Sequence, residues 1–459
     1  MINLSTIHMR KLLLTVAAAI PASSLSAQTP TVRLINAPDA SSPHVFGAVA
    51  AIRQLPNGKV LVNDVVKRQL TLLDPTLGTA TLVADSMSGT ANSYGVRPGG
   101  LIPYVGDSTL FVDPAGLSMF VLDPTGKIAR VASVPRSQDA SSLGSNLLGN
   151  PGLDGRGRLV YRGGFGRIIA GPAAVTTAKS AGGGSGDAAA RAASMASMFD
   201  QPDTTALVRV DLATRKLDTA AFFKIPKNKM NVQQTDKGIM VSNEINPLQT
   251  VDDWAVLADG SIALIRGQDY HIDFIRPDGS VMSSPKIAYD WQRLTDEDKV
   301  AIIDSAKTAF ERARAAAPNG GNAVMAGPGG GGAPASGMVV MNFRMSTGDG
   351  TGGGGVRTGD AGAGPQVNFV SANELPDYRP VFSQGAARGD ADGNLWIRTS
   401  ATRAGSVGGF IYDVIGQHGE LVDRVQIPSG RQIVGFGKGG VVYMMARDDS
   451  GAWLERTHR

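Results

Sequence analysis

A chain of 459 residues with 58 glycines, 25 prolines and 42% apolar residues can bury a large core and is rich in turns. Its formal net charge of +4 comes without a dense basic stripe, which argues against a nucleic-acid-binding protein. Because the chain has no cysteine, disulfides, thiolate metal sites and lipid attachment through cysteine are excluded.

The first 27 residues have the layout of an export signal. Arg10 and Lys11 precede the apolar run LLLTVAAAI, and a stretch of small residues ends at Ala27. The run is too short to cross a bilayer as a helix, and no later segment is long enough either. We therefore predict a signal peptide over residues 1–27 and a soluble mature chain that is periplasmic or extracellular. Met1 and Met9 are alternative starts.

One pattern recurs six times between Leu55 and the C-terminus. The stretch LADGSIALIRGQDYHIDFIRPDGSV (257–281) shows it most clearly, with two tight turns that bracket two apolar runs. Asn-Gly and Asp-Gly pairs tolerate positive φ, so they close two-residue hairpins. The steps between adjacent units without insertions are 49, 50 and 46 residues. The aligned turn positions are Gly58, Asp107, Gly157, Gly260, Gly393 and Gly439.

The repeated unit predicts an all-β, six-bladed β-propeller over residues 28–459. The strand cores KVLV, TLFV, IALI, LWI and VVYM are apolar on both faces, which is typical of sheets covered by neighbours on both sides. Units of 40–50 residues with four strands describe propeller blades. A β-solenoid or two sandwiches are alternatives. The sixth unit ends after three strands, and we expect residues 31–36 (TVRLIN) to supply its outer strand, the alternative being a disordered leader.

The DGNLWI and DPTGK repeats make the chain resemble the six-bladed propeller superfamily that includes NHL-repeat, TolB-like and gluconolactonase-like proteins. This resemblance covers nearly the whole mature chain and implies the fold without an activity. The chain has no room for the small N-terminal domain that precedes the TolB propeller. Gluconolactonase-like propellers hold a divalent cation at the funnel, but their metal motif has no residue-by-residue match here.

Four long additions, at residues 163–205, 227–249, 290–380 and 399–408, are all predicted to lie on one face of the propeller. Elaborated loops on a rigid scaffold usually carry the binding function. Low-complexity stretches occupy about 171–200 and 317–365, and a helix with a Thr295 cap is predicted over about 295–316. A lid over the funnel and a solvated insertion without function are both compatible with this composition.

Aromatic residues flank the largest addition. Trp291, Tyr378 and Phe382 are predicted to anchor it to the ring, and the alternative is a platform on which sugars stack.

Ionisable residues cluster at the ends of the second strands and near the starts of the inner strands. Strand alternation could point several of them into the funnel, where Asp and Arg side chains together would suit an anionic or carbohydrate-like ligand. Solvated charges or salt bridges between blades are the alternative. The candidates are Asp64, Arg97, Asp113, Arg162, Asp252, Asp253, Arg266, His271, Arg388 and Arg398.

Strong catalytic signatures are absent: the sequence has no HExxH, GxSxG or Walker motif. His271 is interpreted as a structural histidine, and a general base is the alternative. No cofactor is predicted, although Asn63-Asp64, Asn150, Asn243-Glu244 and Asp252-Asp253 offer oxygens suited to calcium, magnesium or manganese.

We therefore predict an exported, monomeric binding module whose loop-bearing face binds a protein, peptide or glycan. The alternative is a periplasmic metal-dependent hydrolase or lyase, which would be lactonase-like and would use the propeller funnel.

Overall fold

The computed structural model describes residues 30–459 except 88, 90, 91, 96, 98, 145–148, 164–202, 228, 236, 237, 317–343, 346–367, 402–407 and 450. The predicted signal peptide lies outside the described residues, as do the two low-complexity stretches apart from Arg344 and Met345. The described part forms a six-bladed β-propeller of four-stranded antiparallel blades, which confirms the predicted fold class.

The blades follow one another along the chain, each with its inner strand first. The described part of the chain begins with β1 (Val32–Leu34) and β2 (Ala40–Ser41), which precede blade one. Blade one contains β3 (Val49–Gln54), β4 (Val60–Asp64), β5 (Gln69–Leu73) and β6 (Ala80–Asp85); blade two contains β7 (Gly100–Pro103), β8 (Thr109–Asp113), β9 (Ser118–Leu122) and β10 (Ile128–Ser133); blade three contains β11 (Gly152–Leu153), β12 (Leu159–Arg162), β13 (Thr204–Val210) and β14 (Leu217–Lys224). Blade four contains β17 (Asp253–Val256), β18 (Ile262–Arg266), β19 (His271–Ile275) and β20 (Val281–Ser283); blade five contains β23 (Ala387–Gly389), β24 (Leu395–Arg398), β25 (Ile411–Ile415) and β26 (Leu421–Gln426); blade six contains β27 (Arg431–Phe436), β28 (Val441–Asp448) and β29 (Gly451–His458). The remaining elements are α1 (Ala140–Gly144), β15 (Lys229–Thr235), β16 (Gly238–Ile245), α2 (Asp296–Ala316), β21 (Arg344–Met345) and β22 (Asn368–Phe369).

The six aligned turns explain why the unit can repeat. Each of the six positions has a left-handed backbone, with φ running from 59° at Asp107 to 90° at Gly393. In blades one, three, four and five the turn contains three residues, as where the N–H of Leu55 donates to the carbonyl oxygen of Lys59 at 2.8 Å, so the predicted two-residue hairpin is wrong there. Only the last of the three residues has a positive φ, a conformation that glycine reaches without strain. Asp107 shows that aspartate also tolerates this conformation.

Burial of the second strands explains their apolar composition. Every residue of β4 and of β8 is buried, because a blade is covered on both faces by its neighbours. Apolar clusters accordingly lie between blades. One of them joins Trp396 and Tyr412 of blade five to Ile433 and Met444 of blade six.

The N-terminal segment closes the ring differently from the prediction for residues 31–36. β1 pairs in parallel with β26 and so becomes a fifth strand of blade five. β2 pairs with β29 and is the outer strand of blade six. A bidentate contact of Arg33 with Asp423 and the buried side chain of Ile35 hold this segment across both blades.

Two of the additions meet in an extra sheet. β16 pairs with β15 from the connection that leads to blade four, and with β21 and β22 from the connection that leads to blade five. Next to this sheet, α2 begins with a capping box in which Thr295 and Asp298 exchange hydrogen bonds of 3.0 and 3.2 Å. Its apolar side packs around Ile303 in a cluster that contains Leu248, Leu294, Val370 and Leu375. None of the helices among the described residues is long and apolar enough to cross a membrane.

Candidate functional site

Two of the candidate carboxylates are used to build turns. Asp64 ends β4, and its carboxylate accepts hydrogen bonds from the backbone N–H of Gly47 at 2.7 Å and of Lys67 at 2.9 Å. Asp113 ends β8 and accepts one from the N–H of Gly95 at 3.1 Å. Both side chains are buried and tie the entry of the inner strand to the end of the second strand. Their oxygens therefore face backbone donors of the propeller itself.

A network of charged side chains lies in blade four, where the second strand ends and the third begins. Arg266 donates to Asp252 at 2.9 Å and to Asp273 at 2.8 Å. His271 lies beside them, with Nδ1 2.6 Å from Asp269 and Nε2 3.5 Å from Asp273. Both ring nitrogens of His271 thus face carboxylates.

Asp253 links the inner strands of blades four and five. Its carboxylate is buried and accepts a 2.9 Å hydrogen bond from the N–H of Ala387. Burial raises the pKa of Asp253 to about 6, although backbone N–H groups, that of Ala387 first among them, act in the opposite direction. Ala387 is also held through its carbonyl oxygen, which accepts a 2.9 Å hydrogen bond from Nδ2 of Asn150.

Two further candidates lie outside these groups. Arg97 is exposed in the segment that enters blade two. Arg162 ends β12 and is only 3% exposed, and burial lowers the pKa of its guanidinium to about 10.

The structure brings the last two candidates together on one face of blade five. Arg388 in the inner strand lies opposite Trp396, and Arg398 at the end of β24 lies opposite Tyr412. Residues at directly opposite and alternate positions share one face of a sheet. Since Trp396 and Tyr412 pack against blade six, both arginines belong to the face that is turned toward blade six. Diagonal neighbours of this kind lie on the order of 7 Å apart.

Neither guanidinium group of this pair is in direct contact with an acid among the described residues. Neither Arg388 nor Arg398 forms an ion pair or donates a side-chain hydrogen bond among the described residues. Arg398 instead stacks over the ring of Phe410, with 5.1 Å between its Cζ and the ring centroid. Burial lowers the pKa of Arg388, and the positive charge of Arg398 lowers it further, whereas Tyr412 and the carboxylate of Asp253 act in the opposite direction.

Tyr412 completes this group, which we call the arginine pair site (Arg388, Arg398 and Tyr412). Its side chain is 3% exposed, and burial raises the pKa of its phenol, while both arginines act in the opposite direction. The phenol therefore stays protonated at neutral pH and can donate a hydrogen bond. Two guanidinium forks and one hydroxyl donor suit an oxyanion, because partly buried positive charges gain most from a paired negative group.

Metal ligation and aromatic stacking were the other sequence-based hypotheses for this face. No three His, Asp or Glu side chains in the described ranges come close enough together to hold a metal ion. Of the aromatic residues, Phe382 is buried and lies 6.1 Å from the ring of Tyr270. Trp291 and Tyr378 are 37% and 48% exposed, so of the three only Phe382 is buried as an anchor.

The sequence analysis did not select Tyr412. It lies in GGFIYDVIG, the third strand of blade five, and the addition at 399–408 separates it from Arg398 in the sequence. The signal available was strand register, since a residue directly opposite a candidate shares its face.

The chain has distant structural likenesses among known proteins. No protein-family model and no curated protein sequence matches the chain. Among solved structures, regucalcin from Agrobacterium tumefaciens str. C58, described as a calcium-binding protein, is 10% identical with a TM-score of 0.36, over 93% of this chain and 98% of that one. Virginiamycin B lyase from Staphylococcus aureus, in an inactive form with quinupristin, is 11% identical with a TM-score of 0.33, over 91% and 98%. A protein of unknown function from Bacteroides thetaiotaomicron VPI-5482 is 12% identical with a TM-score of 0.34, over 93% and 73%. At these levels the likeness assigns no family and no activity to this chain.

Proposed function

We propose that this protein is an exported binding module whose loop-bearing face takes up a ligand through a carboxylate or phosphate group. The observation that carries the proposal is the arginine pair site, where two guanidinium groups share one face of blade five and neither forms an ion pair among the described residues. Bringing like charges together in a partly buried place costs free energy unless an anion joins them. Arg398 ends β24 and directly precedes the addition at 399–408, which we predict to belong to the loop-bearing face of the propeller.

The carboxylates that a funnel metal would need support this choice over the hydrolase or lyase. Asp64 and Asp113 accept backbone N–H groups, Asp252 pairs with Arg266, and Asp253 holds Ala387. Each of these side chains thus already has a structural role. The guanidinium groups of the arginine pair form no such hydrogen bond or ion pair among the described residues, although Arg398 packs on the ring of Phe410.

Calorimetric titration of the purified protein with inorganic phosphate and with acetate tests the proposal. We expect phosphate, acetate or both to bind, and Arg388→Gln and Arg398→Gln each to weaken binding about 10- to 100-fold, because a hydrogen bond to a charged group contributes about 1.5–3 kcal/mol. Arg130→Gln is the matched control, since Arg130 is exposed on the outer strand of blade two. Absence of binding by the unmodified protein, or equal affinities for all variants, would overturn the proposal.

A second titration addresses the alternative function. Calcium, magnesium and manganese are added while the melting temperature is followed. A rise that disappears in Asp64→Ala or Asp252→Ala would favour the metal-dependent hydrolase or lyase. The binding module instead predicts stabilisation by the anion alone.

A further inference from the structure

Both backbone groups of Ala387 are held by side chains from other blades. Asn150, in the segment that enters blade three, donates to its carbonyl oxygen at 2.9 Å. Asp253, the first residue of the inner strand of blade four, accepts from its N–H at 2.9 Å. Ala387 is the residue directly before Arg388. The two side chains therefore hold the backbone from which one half of the arginine pair projects.

The inner strand of blade five needs such support. β23 contains only three residues, Ala387–Gly389, and pairs with β24 along this short stretch. Asn150 also forms a parallel bridge with Ala255 of blade four. Blades three, four and five are thus joined at Ala387. If any of these blades moved, the backbone position of Arg388 would change.

We propose that Asn150 and Asp253 are positioning residues of the arginine pair site. By holding both sides of Ala387 they keep Arg388 beside Arg398, so that an incoming anion meets both guanidinium groups in place. Ordering a mobile arginine at the moment of binding would lower the affinity, and a site held by surrounding hydrogen bonds avoids that loss. This inference rests on the proposed function.

Asn63 provides a matched control within the same molecule. Its Nδ2 donates a 2.9 Å hydrogen bond to the carbonyl oxygen of Gly99, which joins blade one to the entry of blade two. The bond has the same donor type, acceptor type and length as the one from Asn150. It differs in that Gly99 precedes no member of the arginine pair site. Asn63→Ala therefore reports the structural cost of losing such a bond, while Asn150→Ala reports that cost together with any effect on Arg388.

The test measures melting temperature and phosphate affinity for the unmodified protein, Asn150→Ala and Asn63→Ala. We expect both variants to melt earlier, and only Asn150→Ala to bind phosphate more weakly, by about tenfold, as expected for a neutral hydrogen bond contributing up to about 1.5 kcal/mol. Amide hydrogen exchange at Arg388 should accelerate in Asn150→Ala alone. If Asn150→Ala does not fold, Asn150→Ser serves the same comparison.

The outcomes separate this inference from the proposed function. If the unmodified protein binds phosphate, Arg388→Gln does not, and Asn150→Ala binds as well as Asn63→Ala, the positioning role is overturned and the binding site stands. If the unmodified protein binds neither phosphate nor acetate, both proposals fail; if it binds acetate alone, the comparison of the two variants is made with acetate. Equal loss of affinity in Asn63→Ala and Asn150→Ala would show a general effect of stability and would also overturn the positioning role.

Discussion

The hydroxyl of Tyr270 in blade four donates a 2.8 Å hydrogen bond to the carboxylate of Asp413 in blade five. Both side chains are buried, and Arg424 donates to the other oxygen of the same carboxylate at 3.0 Å. Burial raises the pKa of Asp413, while Arg424 and the Tyr270 hydroxyl favour its charged form. The contact thus joins the two blades, because the buried carboxylate of blade five receives one of its hydrogen bonds from blade four.

Removing the Tyr270 hydroxyl should weaken this joint. We expect Tyr270→Phe to lower the free energy of unfolding by about 1–3 kcal/mol, because it leaves a buried carboxylate oxygen without its donor. Urea unfolding followed by fluorescence measures the change. Tyr289→Phe is the control, because it also removes one phenol oxygen. The ring centroids of Tyr289 and Tyr270 are 5.8 Å apart. Equal losses in the two variants would contradict the assigned role.

The repeated aspartate before a tight turn predicts a second effect. In blade five, Asp390 accepts hydrogen bonds from the backbone N–H of Asp392, from Asn394 and from the buried indole of Trp396 at 2.9 Å. Asp390→Ala should destabilise the protein by about 1–3 kcal/mol, because the indole N–H then lacks its acceptor. A double-mutant cycle with Trp396→Phe isolates the contribution of this bond. A coupling near zero would show that the turn alone accounts for the loss.

Two glycines separate backbone strain from steric clash. Gly149 has a φ of 105°, and a Cβ built there would lie 2.4 Å from the indole of Trp254. Gly279 has a φ of 93° and no atom within 4 Å of such a Cβ. Gly279→Ala should cost about 1–3 kcal/mol for the left-handed backbone alone. Gly149→Ala should cost clearly more, or prevent folding, and thermal unfolding of the pair checks the order. A smaller loss at Gly149 would show that Trp254 can move aside.

Stability should depend on pH through Asp253. Its pKa of about 6 in the folded protein exceeds the ordinary value of 3.8. Between these pH values the folded state binds more protons than the unfolded state, so the free energy of unfolding falls as pH rises from about 4 to 6 and is then level. The span corresponds to about 3 kcal/mol.

The comparison that isolates this effect is the unmodified protein against Asp253→Asn, because other carboxylates titrate in both. Asp74, whose pKa is lowered to about 2 by hydrogen bonds from Thr79 and Thr76, is an example. Urea unfolding at pH 4, 5, 6 and 7 should show the unmodified protein losing stability relative to the variant as pH rises. Parallel profiles would mean that the folded pKa of Asp253 is near the ordinary value.

The candidate site was only partly predictable. Charged residues at strand ends were found because their positions repeat from blade to blade, and Arg388 and Arg398 were among them. Sequence could not separate these two from Asp64 or Asp252, whose partners are backbone groups and an arginine brought close by the fold. Tyr412 was missed, since its relevance comes from the register of β24 and β25.

By itself, the sequence determined the number of blades and the places of their turns. Positive-φ turn residues and strands apolar on both faces are local properties, and each unit repeats them. The tertiary structure alone decided which charges are neutralised and which strand closes the ring. Asp253 meets Ala387 across a blade boundary 134 residues apart, and β1 joins blade five instead of blade six. Such pairings depend on how neighbouring sheets pack and on strand register, and neither is encoded within one repeat.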